Sequence, residues 1–161
     1  MAKKKHKGIE YRMLIQPVYD ETLKKHGTSF LIETVKQFSN FSYEIVVDEK
    51  WDGNRLSWIL HGLRAPELLM PSFGGAQYRK VYFDLKGAYT FALMKVDGEF
   101  NEITLKILPT SVAIRDFAGT PFVSAYSSEQ LFEEKRPDEM EIPIHKPDIK
   151  RSPEPVPKTK R

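Results

Sequence analysis

The chain of 161 residues contains no cysteine. That excludes disulfides, thiolate metal sites and cysteine nucleophiles, and it agrees with a reducing compartment. Long apolar runs are also missing: none approaches the ~20 residues of a membrane-spanning helix. The opening residues, MAKKKHKGIEYRM, carry charge with no apolar stretch behind it, which is not the form of a secretory signal. A cytoplasmic location is the default expectation. Histidine is sparse, and His6, His26, His61 and His145 show no HExxH or comparable metal-ligand spacing. Calcium-type Asp-x-Asp repeats are absent. Neither a phosphate-binding P-loop nor a GxGxxG fingerprint occurs, and no serine lies in a GxSxG elbow. No cofactor and no metal is indicated, and the balance is against an enzyme.

Basic charge is scarce outside the N-terminus. The formal net charge is +3. Lys3, Lys4, Lys5 and Lys7 stand in residues 1–8 without an acid, whereas residues 9–132 hold 13 Lys or Arg against 15 Asp or Glu. The central region therefore lacks the basic footprint of a nucleic-acid-binding domain. The KKKHK arm has no interleaved aromatics for base stacking, so contact with nucleic acid is limited to non-specific phosphate binding by its four lysines.

What is present is a strand pattern. In FSYEIVVDEKWDGNRLSWILHG, Phe41 to Gly62, Phe41, Tyr43, Ile45 and Val47 alternate with mostly polar residues. Leu56, Trp58 and Leu60 resume the alternation after Asp52-Gly53, a hairpin signal. Further strands are expected over Ile9–Tyr19, Ser29–Phe38, Tyr78–Leu85, Ala88–Val96, Ile103–Ile107 and Val112–Phe117. Pro17 marks the first as an edge strand or one ending there. Asp97-Gly98 is a second hairpin signal. Ser127 with Gln130 has capping-box spacing for a short helix near 127–135. No strand–helix–strand alternation appears, so antiparallel neighbours should dominate. The fold class is all-β: an antiparallel β-sandwich of about seven or eight strands, with an up-and-down β-barrel as the alternative. The organisation read from composition is a disordered basic arm (1–8), a β domain (9–135) and a disordered, charged tail (136–161) that holds six of the 11 prolines.

Three places invite a functional reading. The connection LRAPELLMPSFGGAQ, 63–77, is long for a compact domain. Exposed together, its Leu63, Leu68, Leu69, Met70 and Phe73 would form an apolar contact surface rimmed by Arg64, Tyr78 and Arg79; folded back, they would cap one end of the core. His61 sits on a strand opposite Trp58 and could act as acid or base with Asp84 or Arg79, or be an ordinary surface histidine. Trp58, Phe83, Tyr89 and Phe91 could line a cavity for a small apolar ligand.

The tail contributes Ile142-Pro143-Ile144. This resembles the I-x-I motif with which small heat-shock proteins dock their C-terminal extensions into a groove of a neighbouring subunit, after a β-sandwich domain. That family's Gly-Val-Leu signature is absent from residues 98–119, GEFNEITLKILPTSVAIRDFAG, so the resemblance is to a docking device alone. It implies that Ile142 and Ile144 fill a groove or add to a sheet edge. Together these features favour a non-catalytic β-sandwich module of unspecified biological role. It would bind a protein partner, or itself, through the 63–77 loop or a sheet edge. The alternatives are a barrel binding a small apolar ligand and a cofactor-free enzyme with a site near His61.

Overall fold

The computed structural model describes residues 8–68, 70–119 and 121–136. The KKKHK arm, Leu69 and the Ile142/Ile144 tail lie outside them. Nine strands follow in order: β1 Tyr11–Asp20, β2 Lys25–Phe38, β3 Glu44–Asp52, β4 Arg55–Arg64, β5 Gly74–Phe83, β6 Gly87–Lys95, β7 Phe100–Ile107, β8 Val112–Ala118 and β9 Val123–Tyr126, then a short helix, α1, Glu129–Glu134. The all-β expectation holds. The strands form one sheet in the order β8-β7-β6-β4-β3-β5-β2-β1-β9, not two stacked sheets.

That sheet must curl. Laid flat, its outer strands would stand about 38 Å apart at ~4.8 Å per neighbour. Ala118 at the end of β8 is only five residues before Val123 at the start of β9, a reach of at most ~18 Å. The sheet is therefore a nearly closed barrel rather than a sandwich, although its strand order is not that of the up-and-down barrel the sequence admits as the alternative. Buried Asn101 on β7 clasps the closure: its Oδ1 accepts from the amides of Phe122 (2.9 Å) and Val123 (3.2 Å). Gly119 lies in the same join with φ +102°, and an added Cβ there would stand 2.2 Å from the Phe100 carbonyl oxygen.

Strand directions alternate strictly along the chain, but spatial neighbours are not sequential. β5 passes β3 to pair with β2, and β6 returns to pair with β4. Strands of equal parity thus become neighbours, and β1–β9, β3–β5 and β4–β6 are parallel. The sheet is mixed: five of its eight pairings are antiparallel, so antiparallel neighbours dominate as expected, and the three parallel ones come from the crossovers. Alternation also sorts the connections. Residues 39–43, 65–73, 96–99 and 119–122 lie at one end of the barrel, the loop end. Residues 21–24, 53–54, 84–86 and 108–111 lie at the other, the hairpin end.

The interior is the apolar face of this period-two pattern. Met13, Ile15, Phe30, Ile32, Ile45, Leu56, Trp58, Leu60, Phe91, Leu93, Ile103 and Leu105 are all buried. Ring centroids lie 5.9 Å apart for Phe30–Trp58, 5.4 Å for Phe30–Phe91 and 5.4 Å for Trp58–Phe91. A ring cluster this tight is a packed core.

Local details sharpen the pattern. In the β3–β4 hairpin Asp52 pairs with Arg55, so the two-residue turn is Gly53-Asn54. Gly53 has φ +64° and Asn54 is not in the positive-φ region. That is the II′ arrangement, glycine first, rather than a turn centred on Asp52-Gly53. Gly74-Gly75 begins β5. Gly75 lies against Thr34, where a Cβ would meet the carbonyl oxygen at 2.5 Å, so only glycine allows β5 so close to β2. The α1 cap is Ser128, one residue after the expected Ser127; its Oγ accepts from the Leu131 amide at 3.2 Å.

Candidate functional site

The 65–73 connection carries the main candidate. It runs from β4 to β5 across the end of β3 and is pinned at Pro71 and Ser72, near its β5 end. Phe41 and Pro71 form an isolated bridge, the Ser72 amide donates to the Asn40 carbonyl (3.0 Å), and the Ser42 hydroxyl donates to Ser72 Oγ (2.8 Å). Two prolines and these anchors hold the loop across the barrel end, and the large side chains described on and beside it point outward. Leu68 is 71% exposed, Met70 58%, Phe73 46% and Leu63 43%. They do not cap the core. Beneath them Phe38 and Tyr43 pack edge to face at 5.1 Å, with Phe41 6.1 Å from Tyr43.

The polar rim read from the sequence is only partly assembled. Arg64 is at this end and pairs with Glu44 at 2.8 Å. Tyr78 instead packs against Trp58, with centroids 5.0 Å apart. Arg79 lies further along β5, its Nε donating to Ser29 Oγ at 2.9 Å. The sequence reading also missed three residues that the topology adds to the same end. Ile9 precedes β1, Val96 follows β6 and Phe100 opens β7; they are exposed by 41%, 68% and 44%. They are scattered in the sequence, and only the parity of the strands brings them to one end.

Charge at this end is mixed. Glu10, Glu44, Glu67, Asp97 and Glu99 stand against Lys36, Arg64 and Lys95. Lys95 bridges Glu10 (3.1 Å) and Glu99 (2.9 Å). Burial opposes its charge, but the two carboxylates outweigh burial and raise the ammonium pKa above its ordinary value. Among the described residues Glu67 and Asp97 have no ion-pair partner.

His61 is placed differently from expectation. It is the extra residue of a β-bulge, since Val46 pairs with Gly62 and Val47 with Leu60. The bulge turns its ring toward Asp48, with Nε2 2.9 Å from Oδ2, in an exposed position. Asp84 is held elsewhere, beside Lys25 at 3.7 Å. The two residues of the proposed acid–base pair have separate partners.

The four aromatics proposed to line a cavity also separate. Trp58 and Phe91 are core. Tyr89 meets Trp51 at 6.0 Å, and Phe83 sits under the Lys25 ammonium at 5.0 Å. Tyr82 links core to surface: Trp58 Nε1 donates to its hydroxyl (3.0 Å), which donates to Glu49 Oε1 (2.5 Å). Burial, and then the hydrogen bond to Glu49, push its phenol pKa well up. A cleft does occur at the hairpin end, about 490 Å³ in volume. Pro17, Leu85, Ile107 and Pro109 give it an apolar floor, with His26, Asp84, Lys86 and Lys106 around it.

Among the described residues no group of three or more metal-ligating side chains converges, and no helix is long and apolar enough to cross a membrane. The fold and surface define a class: a nearly closed, mixed β-barrel with a filled interior and an apolar loop end. Comparison with models of protein families, with curated proteins and with solved structures finds no match.

Proposed function

We propose that the chain is a non-catalytic protein-interaction module that docks through the loop end of its barrel. One observation carries the reading: Leu68, Met70 and Phe73, with Leu63 at the end of β4, are exposed on and beside a loop whose backbone is pinned to Asn40–Ser42. An ordered apolar surface costs solubility without stabilising the fold, which is the usual mark of a contact site. Methionine adds an adaptable side chain at its centre. A photo-crosslinking amino acid placed at Met70, in living cells, tests this. Discrete crosslinked products are expected at 70, none when the probe replaces Leu108 at the other end, and loss of the products on Leu68→Asp. Absence of products at 70 sinks the reading.

The hairpin-end cleft supports a second reading, binding of a small apolar molecule with an anionic group. Its volume lies in the ligand-site range of about 300–1,000 Å³, and Lys86 and Lys106 stand beside an apolar floor. Trp51 reports on it, because Tyr89 contacts both Trp51 and the Lys86 amide (3.1 Å). Titration with decanoate should change Trp51 emission saturably, and a flat titration removes the idea.

A further inference from the structure

The apolar loop end has two further properties that bear on its occupant. First, among the described residues it is acidic on balance: five carboxylates surround it against three cations, and Glu67 and Asp97 lack ion-pair partners. Second, β1 begins at this end with Gly8 and Ile9 before it, and residues 1–7 precede them in the chain. Those residues bring Lys3, Lys4, Lys5 and Lys7 and no acid. The same end of one molecule thus carries an apolar surface and an acidic rim, and the sequence that precedes it is of opposite sign to that rim.

We propose that the occupant of this surface is a second copy of the chain, packed end to end about a two-fold axis. Apolar loops would meet across the axis, and the lysine arm of each copy would reach the acidic rim of the other. The inference rests on the loop end being a docking surface, and it names the partner. A two-fold contact must be self-complementary. An apolar patch satisfies that trivially, and an arm-to-rim exchange satisfies it because each copy supplies both signs. Seven extended residues span up to ~23 Å, so residues 1–7 are long enough to cross such an interface. An anionic lipid surface fits less well, because Glu67, Asp97 and Glu99 would face it beside Leu68 and Val96. An acidic protein would meet the same repulsion.

Sedimentation velocity of the full chain over a range of concentrations is the test, at about 50 mM and about 500 mM salt, where screening lengths differ roughly threefold. A concentration-dependent dimer is expected. Leu68→Asp and Met70→Asp should each raise the dimer Kd at least tenfold with Tm unchanged, while Leu23→Asp at the hairpin end leaves it unaltered. Replacing Lys3, Lys4, Lys5 and Lys7 together with Gln should weaken the dimer and abolish its salt dependence. A chain that stays monomeric throughout overturns the proposal, as does a dimer indifferent to Leu68→Asp and Met70→Asp, or one insensitive to salt. A monomer that pellets with vesicles of phosphatidylserine and phosphatidylcholine overturns it in favour of a lipid surface. If the purified chain is monomeric while crosslinks at Met70 join it to a different protein, this inference falls and the docking reading stands. If no crosslink forms at Met70, both fall.

Discussion

The two ends of the barrel are built from the same strands but close differently. At the hairpin end the connections have two to four residues, and at the loop end four to nine. Exposed aromatics at the hairpin end are engaged: Tyr19 packs edge to face with His26 at 4.8 Å, and Trp51 with Tyr82 at 5.6 Å. At the loop end, Leu68, Met70 and Val96 extend into solvent from a backbone that is itself tied down. A short turn leaves little choice of side chain, since its residues must supply the turn geometry. A longer, anchored connection is free to carry side chains the fold does not need. The surplus at one end is what the proposed docking role rests on, and its scarcity at the other goes with tight closure of the strands.

The comparison breaks most sharply at the glycines. Gly119 and Gly53 both have positive φ, one at each end. A Cβ at Gly53 meets nothing, whereas one at Gly119 strikes the Phe100 carbonyl oxygen at 2.2 Å. Gly53→Ala should cost about 1 kcal/mol, the conformational term alone. Gly119→Ala adds a backbone clash in the join held by Asn101 and should cost about 3 kcal/mol or more. Chemical denaturation measures both. Equal costs would mean that the β8–β9 join does not hold the barrel closed.

A smaller effect is expected at Tyr82, which ties the core to the hairpin end through Trp58 and Glu49. Tyr82→Phe leaves the buried Trp58 Nε1 without its acceptor and should cost about 1–2 kcal/mol at neutral pH. The sign with pH follows from the raised folded-state pKa. The native state holds the phenolic proton more tightly than the unfolded chain does. Its contribution is complete below the unfolded value near 10 and is lost as pH rises from there toward the folded value. Lys95 loses its contribution in the same direction, since its pKa is also raised. Stability curves of wild type and Tyr82→Phe should therefore converge above pH ~10. A constant gap would show that the phenol is not protected by its hydrogen bonds.

Much of this was legible in the sequence. The alternation through Ile45, Val47, Leu56, Trp58 and Leu60 gives the β3–β4 hairpin and its inward face, because period two is a local property. Strand order is not local. Nothing near Tyr78 announces that β5 skips β3 to reach β2, so closure and the three parallel pairings were beyond reach. The same holds for buried charge. Arg12 and Glu33 look like ordinary surface residues, yet they form a buried pair at 2.6 Å that also takes Arg136 at 3.1 Å, with Phe132 of α1 stacked 3.9 Å over the guanidinium. The signal was Phe132 in a mostly polar segment, a large aromatic that needs a wall to rest on. Leu63, Leu68, Met70 and Phe73 could be named from the loop alone, whereas Ile9, Val96 and Phe100 required the topology.

The smallest expected change in stability is also the most discriminating. Leu68→Asp at the loop end and Leu23→Asp at the hairpin end both replace exposed leucines, so each should alter stability by no more than about 0.5 kcal/mol. If Leu68 belonged to a cap over the core, its substitution would instead approach the several kcal/mol of a buried charge. Near-equal denaturation midpoints for the two variants would show that neither end depends on its exposed side chains for folding. Any difference between the variants in association must then come from what the loop end touches. Exposure alone does not separate them, because Leu23 is 55% exposed and Leu68 71%. What separates them is company: Leu68 shares its end with Met70, Phe73, Val96 and Phe100, and Leu23 sits in the Glu21–Lys24 turn, where the Asp20 carboxylate accepts from its amide at 2.8 Å.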